Sequence, residues 1–446
     1  MKFVIIGGDA AGMSAASRAK RTMPAMDVIV LEKTEDVSYS ACGMPYNIAD
    51  ANRDIDDLVV RTADVFRKKQ GIDLFTGCCA EVIDVKNASV TGTIDNGESF
   101  RFFYDHLLIA TGGRPILPDL PGFDQPGVVA LKSLADGRRI RDHLKTNQVK
   151  KAVIIGMGYI GLEMAEALRA RGIEVEMVKP GPELLPWMAR ELALVVKQEL
   201  EKNQVKLHLG CEIKRIDKTA DDLHIVCKDR TLTADMVLVA IGIEPNSELA
   251  ADAGIETGIG NAIAVNHKLQ TSNETVYAAG DCADAYHVVT GQKTWIPLAL
   301  RANRAGWAVA DNVCGKSTQL QGVAGTAVFK VFDLEVARSG LSLEESRRFG
   351  FEPIEVTIQS RSRAHAHPGA KTIWVDLIGD KKSGRLLGAQ MVGCEGAAHR
   401  INAAAVALHG QMSIKAFSET DLSYAPPFGP VWDPLLTAAN QLLKKM

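Results

Sequence analysis

Ala152-Val153-Ile154-Ile155-Gly156-Met157-Gly158-Tyr159-Ile160-Gly161 is the stretch that decides the fold. An apolar strand runs into a Gly-x-Gly-x-x-Gly turn. A helical segment continues to about Arg171, and a second strand, Glu174–Val178, ends at Lys179. Strand, turn, helix and strand within about 30 residues make a βαβ unit. Each glycine then has a physical task. Gly156 makes the tight turn, Gly158 lets a pyrophosphate approach the backbone, and Gly161 lets helix pack on strand. The helix opening at Tyr159 and Ile160 aims its unpaired N–H groups at the phosphates. A Gly-rich turn alone is a weak signal; between strand and helix it reads as a dinucleotide site.

The same arrangement occurs about 150 residues earlier, in Phe3-Val4-Ile5-Ile6-Gly7-Gly8-Asp9-Ala10-Ala11-Gly12. An Ala-rich helical segment to about Lys20 and a strand, Val28–Leu31, follow it. Gly7, Gly8, Ala10, Ala11 and Gly12 form this turn, with Asp9 where the second glycine normally sits. A carboxylate there is unwelcome beside a pyrophosphate unless it turns away or meets a cation. Glu32, twenty residues after Gly12 with Lys33 beside it, is placed to bind adenosine ribose hydroxyls. Lys179 holds the equivalent place in the second unit, where a cation suits a 2′-phosphate better than a bare ribose.

Two βαβ units predict parallel sheets and a doubly wound α/β class. Strand-to-glycine elements at Leu107–Gly113, Met236–Gly242 and Val276–Asp281 extend them. From about Gly325, short strand-like runs (Ala327–Val331, Ile354–Gln359, Thr372–Leu377) precede helical segments at Ala397–His409 and Pro434–Lys444, an α+β pattern. The resulting division is 1–118 and 248–322 for the first nucleotide-binding domain, 119–247 for the second, and 323–446 for a C-terminal domain. Pro118–Gly122 and Ile243–Pro245 read as crossings between domains.

At 446 residues the chain needs more than one core. A net charge of −3 gives no reason to expect nucleic-acid binding. No apolar run approaches the roughly 20 residues that span a bilayer. Met1-Lys2 leads directly into an apolar strand, which leaves no room for a signal peptide and predicts a cytoplasmic protein. The eight cysteines include no C-x-x-C pair, and no metal site is expected. Most should be small core residues.

The two fingerprints, Ala110-Thr111-Gly112-Gly113 between them and the later Ala279-Gly280-Asp281 together resemble the flavin-dependent pyridine nucleotide–disulfide oxidoreductases. The resemblance covers essentially the whole chain. It implies FAD at the Gly7 unit, NADPH or NADH at the Gly156 unit and a C-terminal dimerisation domain, hence a homodimer. It also places Thr111, Gly112 and Gly280 against FAD, with Asp281 on its ribityl chain. Tyr159 would gate the flavin face where the nicotinamide enters, and Glu163 would orient that ring.

A redox cysteine is implied on the opposite face, and Ser38-Tyr39-Ser40-Ala41-Cys42-Gly43-Met44-Pro45-Tyr46 supplies it at Cys42. Two-cysteine members carry a second thiol five residues on, where this chain has Asn47. The pattern is similar to the single-cysteine branch: coenzyme A–disulfide reductases, NADH oxidases and coenzyme A-dependent polysulfide reductases. Cys42 would then alternate between a thiolate and a mixed disulfide or sulfenic acid, its thiol acidified by a following helix start. Ala10 stands where the oxidase group carries His, which favours disulfide, persulfide or polysulfide reduction; an NADH oxidase passing through a Cys42 sulfenic acid is the alternative. Leu422-Ser423-Tyr424-Ala425-Pro426-Pro427 resembles the reductase motif whose Tyr reaches the partner's active site, so Tyr424 would assist the departing thiolate. His367, or Ala366, stands where that group has a second tyrosine before Pro-Gly. Arg18, Lys20 and Arg21, with Ser38, Asn303 and Arg304, would hold coenzyme A, bound or attached to Cys42.

Overall fold

The computed structural model describes residues 1–219 and 222–446. The predicted βαβ units build two parallel five-stranded sheets whose four inner and near strands match in order and whose last edge strand differs. In the first, Lys2–Ile6 lies between Asp27–Leu31 and His106–Ile109, with Asp73–Phe75 and Val276–Ala278 at the edges. In the second, Lys151–Ile155 lies between Glu174–Lys179 and Met236–Val239, with Val205–Leu209 and Val128–Ala130 at the edges. The central strands are almost wholly buried and continuously apolar, as parallel strands covered on both faces must be.

Each half also carries a three-stranded antiparallel layer at the same point of its topology. Cys78–Asp84, Ser89–Ile94 and Ser99–Phe103 form the first; Ile213–Lys218, Leu223–Cys227 and Thr231–Ala234 form the second. The sequence reading contained neither. Gly113–Pro115 pairs antiparallel with Ile243–Pro245, so the second expected crossing is a paired strand between the halves.

The C-terminal region is the expected α+β unit. Its antiparallel sheet runs Ala327–Val331, Leu334–Gly340, Leu386–Gly393, Thr372–Asp380, Pro353–Arg361. The helices Ala397–His409 and Pro434–Leu443 pack their apolar faces on it. The second half's core is shared: it takes in Met44, Ile48, Ile55 and Leu58 from the Cys42 segment, and Phe329, Val331 and Val392 from the C-terminal sheet. Cys42 is thereby carried on a segment seated against the second βαβ unit. No helix among the described residues is long and apolar enough to cross a membrane.

Candidate active site

The two fingerprint turns are near copies. Gly7 donates its N–H to Leu31 O and Gly156 to Val178 O, both at 2.8 Å. Their φ angles are +107° and +105°, and a Cβ on either would lie 2.2 Å from a carbonyl oxygen, of Ala110 or Ala240. Only glycine fits there. A Cβ at Gly12 would lie 1.9 Å from Gly7 O, and one at Gly161 2.6 Å from Gly156 O. A Cβ at Gly158 would meet nothing within 4 Å, leaving the opening a pyrophosphate needs.

Asp9 precedes the helix Ala10–Thr22 and accepts a bond from Tyr39 N–H at 3.3 Å. Burial raises its carboxyl to about 6, against the pull of that N–H and the charge of Lys132. Glu32 is buried at the strand end. It accepts from Gly8 N–H at 2.7 Å and from the N–H and hydroxyl of Thr34 at 2.9 and 2.7 Å, and its oxygens retain lone pairs for ribose hydroxyls. Lys33 is exposed beside it. Gly280, at φ +88°, brings its turn over Ala11, where a Cβ would lie 3.2 Å from Ala11 Cβ. Thr111 donates to Asn246 O at 2.5 Å, and Asn246 returns a bond to Thr111 O at 2.8 Å, which holds the Thr111–Gly112 turn. Asp281 accepts from Lys132 at 2.8 Å. A glycine cradle, a fixed acid at the strand end and a Gly-Asp turn over the helix start fit FAD.

Cys42 is exposed in the single turn Ala41–Gly43, just before the short helix Met44–Ile48. Ser38, at φ +49°, donates its N–H to Gly8 O at 3.1 Å, which ties this loop to the first fingerprint. The thiol is raised, not lowered, from its ordinary value. The helix is five residues long, and packing around the thiol together with the Glu163 carboxylate pushes its pKa up, against the pull of Lys132. Asn47 is fully buried, donating to Asp54 O at 2.6 Å and accepting from Arg141 at 3.0 Å, so the place of a second thiol holds a structural amide. Arg141 also bonds the carbonyls of Asn47 and Asp50, and Arg171 that of Ile48.

Tyr159 opens the helix Tyr159–Ala170. Its ring lies 4.7 Å from Phe329 and edge-on to Trp187, packed on the C-terminal sheet. Glu163, one turn into the same helix, accepts from Tyr46 Oη at 2.7 Å, and burial raises its carboxyl. Ile160 packs against the second core. Lys179 extends to Glu183 O at 2.8 Å.

The suggested coenzyme A group divides. Asn303 accepts from Ser14 at 2.6 Å, and Arg18 makes a two-pronged bond to Asp311 at 3.1 and 2.8 Å while lying over Trp307. These residues share one face where the helices Ala10–Thr22 and Ala299–Val313 cross. Arg21 and Arg304 are exposed. Lys20 bonds the carbonyls of Pro24 and Met26 at 2.9 and 3.0 Å. His367 and Tyr424 lie on neighbouring loops joined by Ala364 N–H to Pro426 O at 3.0 Å, with Arg400 bonding Ser362 O and Phe428 O. No hydrogen bond links either residue to Cys42 among the described residues. Phe428, Val431 and Trp432 beside Tyr424 are strongly exposed.

Five of the eight cysteines lie in or on a core, Cys314 only half-buried against the first. Cys78, Cys211, Cys227 and Cys282 are buried; Cys42, Cys79 and Cys394 are exposed, and Cys211 and Cys227 form a disulfide. Lys132 and Arg141 carried no sequence signal. Tyr46 lay inside the quoted motif, but its partner is 117 residues away. Among the described residues no group of three or more His, Cys, Asp or Glu is placed to hold a metal.

Residues 1–306 match the pyridine nucleotide-disulphide oxidoreductase family, and 326–434 match its dimerisation domain. The chain is 41% identical to an NAD(P)H sulfur oxidoreductase (CoA-dependent) from Pyrococcus abyssi, over 98% of this chain and 97% of that one. It is 33% identical to an NADH oxidase from Methanocaldococcus jannaschii, over 100% of this chain and 99% of that one. The solved structure of an NAD-dependent persulfide reductase from A. fulgidus superposes with a TM-score of 0.97 at 37% identity, covering 100% of this chain and 83% of that one. The chain belongs to the pyridine nucleotide-disulphide oxidoreductase family.

Proposed function

We propose that this family member uses NAD(P)H to reduce coenzyme A disulfide, persulfide or polysulfide through Cys42. One observation supports the reading: Cys42 is an exposed thiol on a segment tied to the first fingerprint through Ser38 and to the second unit through Tyr46 and Glu163, and a buried Asn47 occupies the place of a resolving cysteine. Gly7, Gly12, Glu32, Thr111, Gly280 and Asp281 would hold FAD, which when bound would supply two-electron transfer from the nicotinamide. Cys42 as thiolate attacks a disulfide sulfur, one thiolate leaves, and a mixed disulfide remains on Cys42. Two electrons from NAD(P)H then release the second thiol.

Packing around the Cys42 sulfur and the Glu163 carboxylate raise its thiol, and Lys132, paired with Asp281, draws it back down. The Arg18–Asn303 face is the binding surface for the coenzyme A moiety. Lys179 favours NADPH. Tyr424, with His367 beside it, acts from a second copy, which the exposed Phe428–Trp432 surface and the dimerisation domain support.

The NADH oxidase reading has the Methanocaldococcus relative in its favour and Ala10 against it. Non-reducing mass spectrometry separates the two: a coenzyme A adduct on Cys42 supports reduction of sulfur substrates, whereas a sulfenic or sulfinic mass supports oxygen as acceptor. Cys42→Ser should keep FAD and its reduction by NAD(P)H while disulfide turnover falls by at least about 10³-fold. Full disulfide turnover in that variant would defeat the proposal.

A further inference from the structure

The strand Val205–Leu209 runs beside Glu174–Lys179, with Leu209 paired to Lys179. Cys211 follows and is bonded to Cys227, which ends a strand of the second antiparallel layer. Both cysteines are buried, in one core with Val178 and Ile155, the residues just before Lys179 and Gly156. The backbone closes the same link. Cys211 donates its N–H to Lys179 O at 3.0 Å, and Gly210 donates to Gly181 O at 3.1 Å. On the other side, Lys228 N–H reaches Glu212 O at 3.0 Å. The loop where the adenosine ribose of a bound dinucleotide must lie is therefore anchored to the segment carrying the bridge.

We propose that the Cys211–Cys227 disulfide is a positioning element of the nicotinamide dinucleotide site, fixing the Lys179–Gly181 loop so that Lys179 meets a 2′-phosphate. The bridge closes a loop with a sequence separation of 16, which restricts the freedom of the segment from Gly210 onward. Opening it leaves the Gly156 turn intact, because that turn is held by Gly156 N–H on Val178 O and by Ala240 N–H on Ile155 O at 2.7 Å. The loss falls on the one contact NADPH has and NADH lacks. This inference rests on the dinucleotide site at Gly156 and is independent of the sulfur substrate.

The test uses the FAD-loaded protein in a Cys42→Ser background, so that the redox thiol takes no part. A trialkylphosphine opens the bridge: the S–S bond breaks, the phosphine supplies two electrons and gains oxygen from water, and water supplies the two thiol protons. Flavin reduction is followed by stopped flow against NADPH and NADH, before and after treatment and in the additional double variant Cys211→Ala/Cys227→Ala. The half-saturating NADPH concentration should rise about fivefold or more with the limiting rate unchanged, while that for NADH moves less than about twofold. If the double variant does not fold, the phosphine-treated protein decides. Equal shifts for both cofactors, no shift, or two free thiols in the untreated protein would overturn the proposal. Flavin reduction by neither cofactor would overturn it together with the Gly156 assignment, whereas loss of disulfide turnover in the wild type alone would leave it standing.

Discussion

The Gly7 and Gly156 units use the same backbone twice, yet they differ at the second turn position and at the strand end, the two places proposed to read a ligand. Their first glycines share a φ within a few degrees and the same close carbonyl, and their third glycines rest on the turn itself. At the second position one unit has open space at Gly158, and the other has Asp9 turned onto Tyr39 N–H. At the strand end one has Lys179 reaching along a loop, and the other has Glu32 buried and fixed by three donors. The scaffold is set by steric exclusion and repeats; specificity sits in side chains that can change without disturbing it.

The sharpest way to break this comparison is to add one methyl group to each turn. A Cβ at Gly12 would lie 1.9 Å from a backbone oxygen that cannot yield, so Gly12→Ala should cost about 3 kcal/mol and give protein without FAD. A Cβ at Gly158 meets no protein atom. Gly158→Ala should therefore keep FAD and change stability by less than about 0.5 kcal/mol, while the nicotinamide KM rises about 100-fold through lost contact with the pyrophosphate. Flavin absorbance, thermal melts and steady-state kinetics read the three effects. A Gly12→Ala protein that retains FAD would show that the third glycine is not a steric requirement.

These glycines were legible from sequence because their role is local: turn, strand and helix are contiguous, and the missing Cβ is a property of the residue itself. The helix Ala397–His409 was legible for the same reason, its apolar face repeating at helical spacing. Leu386–Gly393 was not, since a fully buried strand containing two glycines and an alanine carries neither alternation nor strong β-propensity. The Tyr46–Glu163 bond and the Arg141 clasp arise from docking of the Cys42 segment on the second half, which no local pattern encodes. The Cys211–Cys227 pair needs the register of an antiparallel layer that was itself unread. The Cys42 motif offered a candidate residue but not its electrostatics, because Glu163 and Lys132 arrive from elsewhere in the chain.

Exchanging the strand-end charges sharpens the comparison at its specificity positions. Lys179→Glu gives the second unit the acid that the first has at Glu32. It removes a cation from a 2′-phosphate and places repulsion there, so kcat/KM for NADPH should fall about tenfold or more. The value for NADH should hold or rise, because an acid suits a free ribose hydroxyl. Equal losses with both cofactors would mean that Lys179 serves the loop and not the ligand.

The smallest effect separates the second positions by pH. Asp9 titrates at about 6 in the folded chain against 3.8 as its ordinary value, with burial as the main cause. Between those values the unfolded chain releases its proton while the folded chain keeps it. Stability from this group is therefore complete at low pH, is lost as pH rises through about 6, and stays lost above. Asp9→Asn removes the ionisation and keeps the shape, so it should leave the melting temperature of the FAD-free protein unchanged near pH 4 and raise it by a few degrees near pH 8. Calorimetry at the two pH values gives the answer. A uniform shift at both would assign the effect to the Tyr39 hydrogen bond, and the buried charge of the first turn would then carry no stability cost that the open second turn avoids.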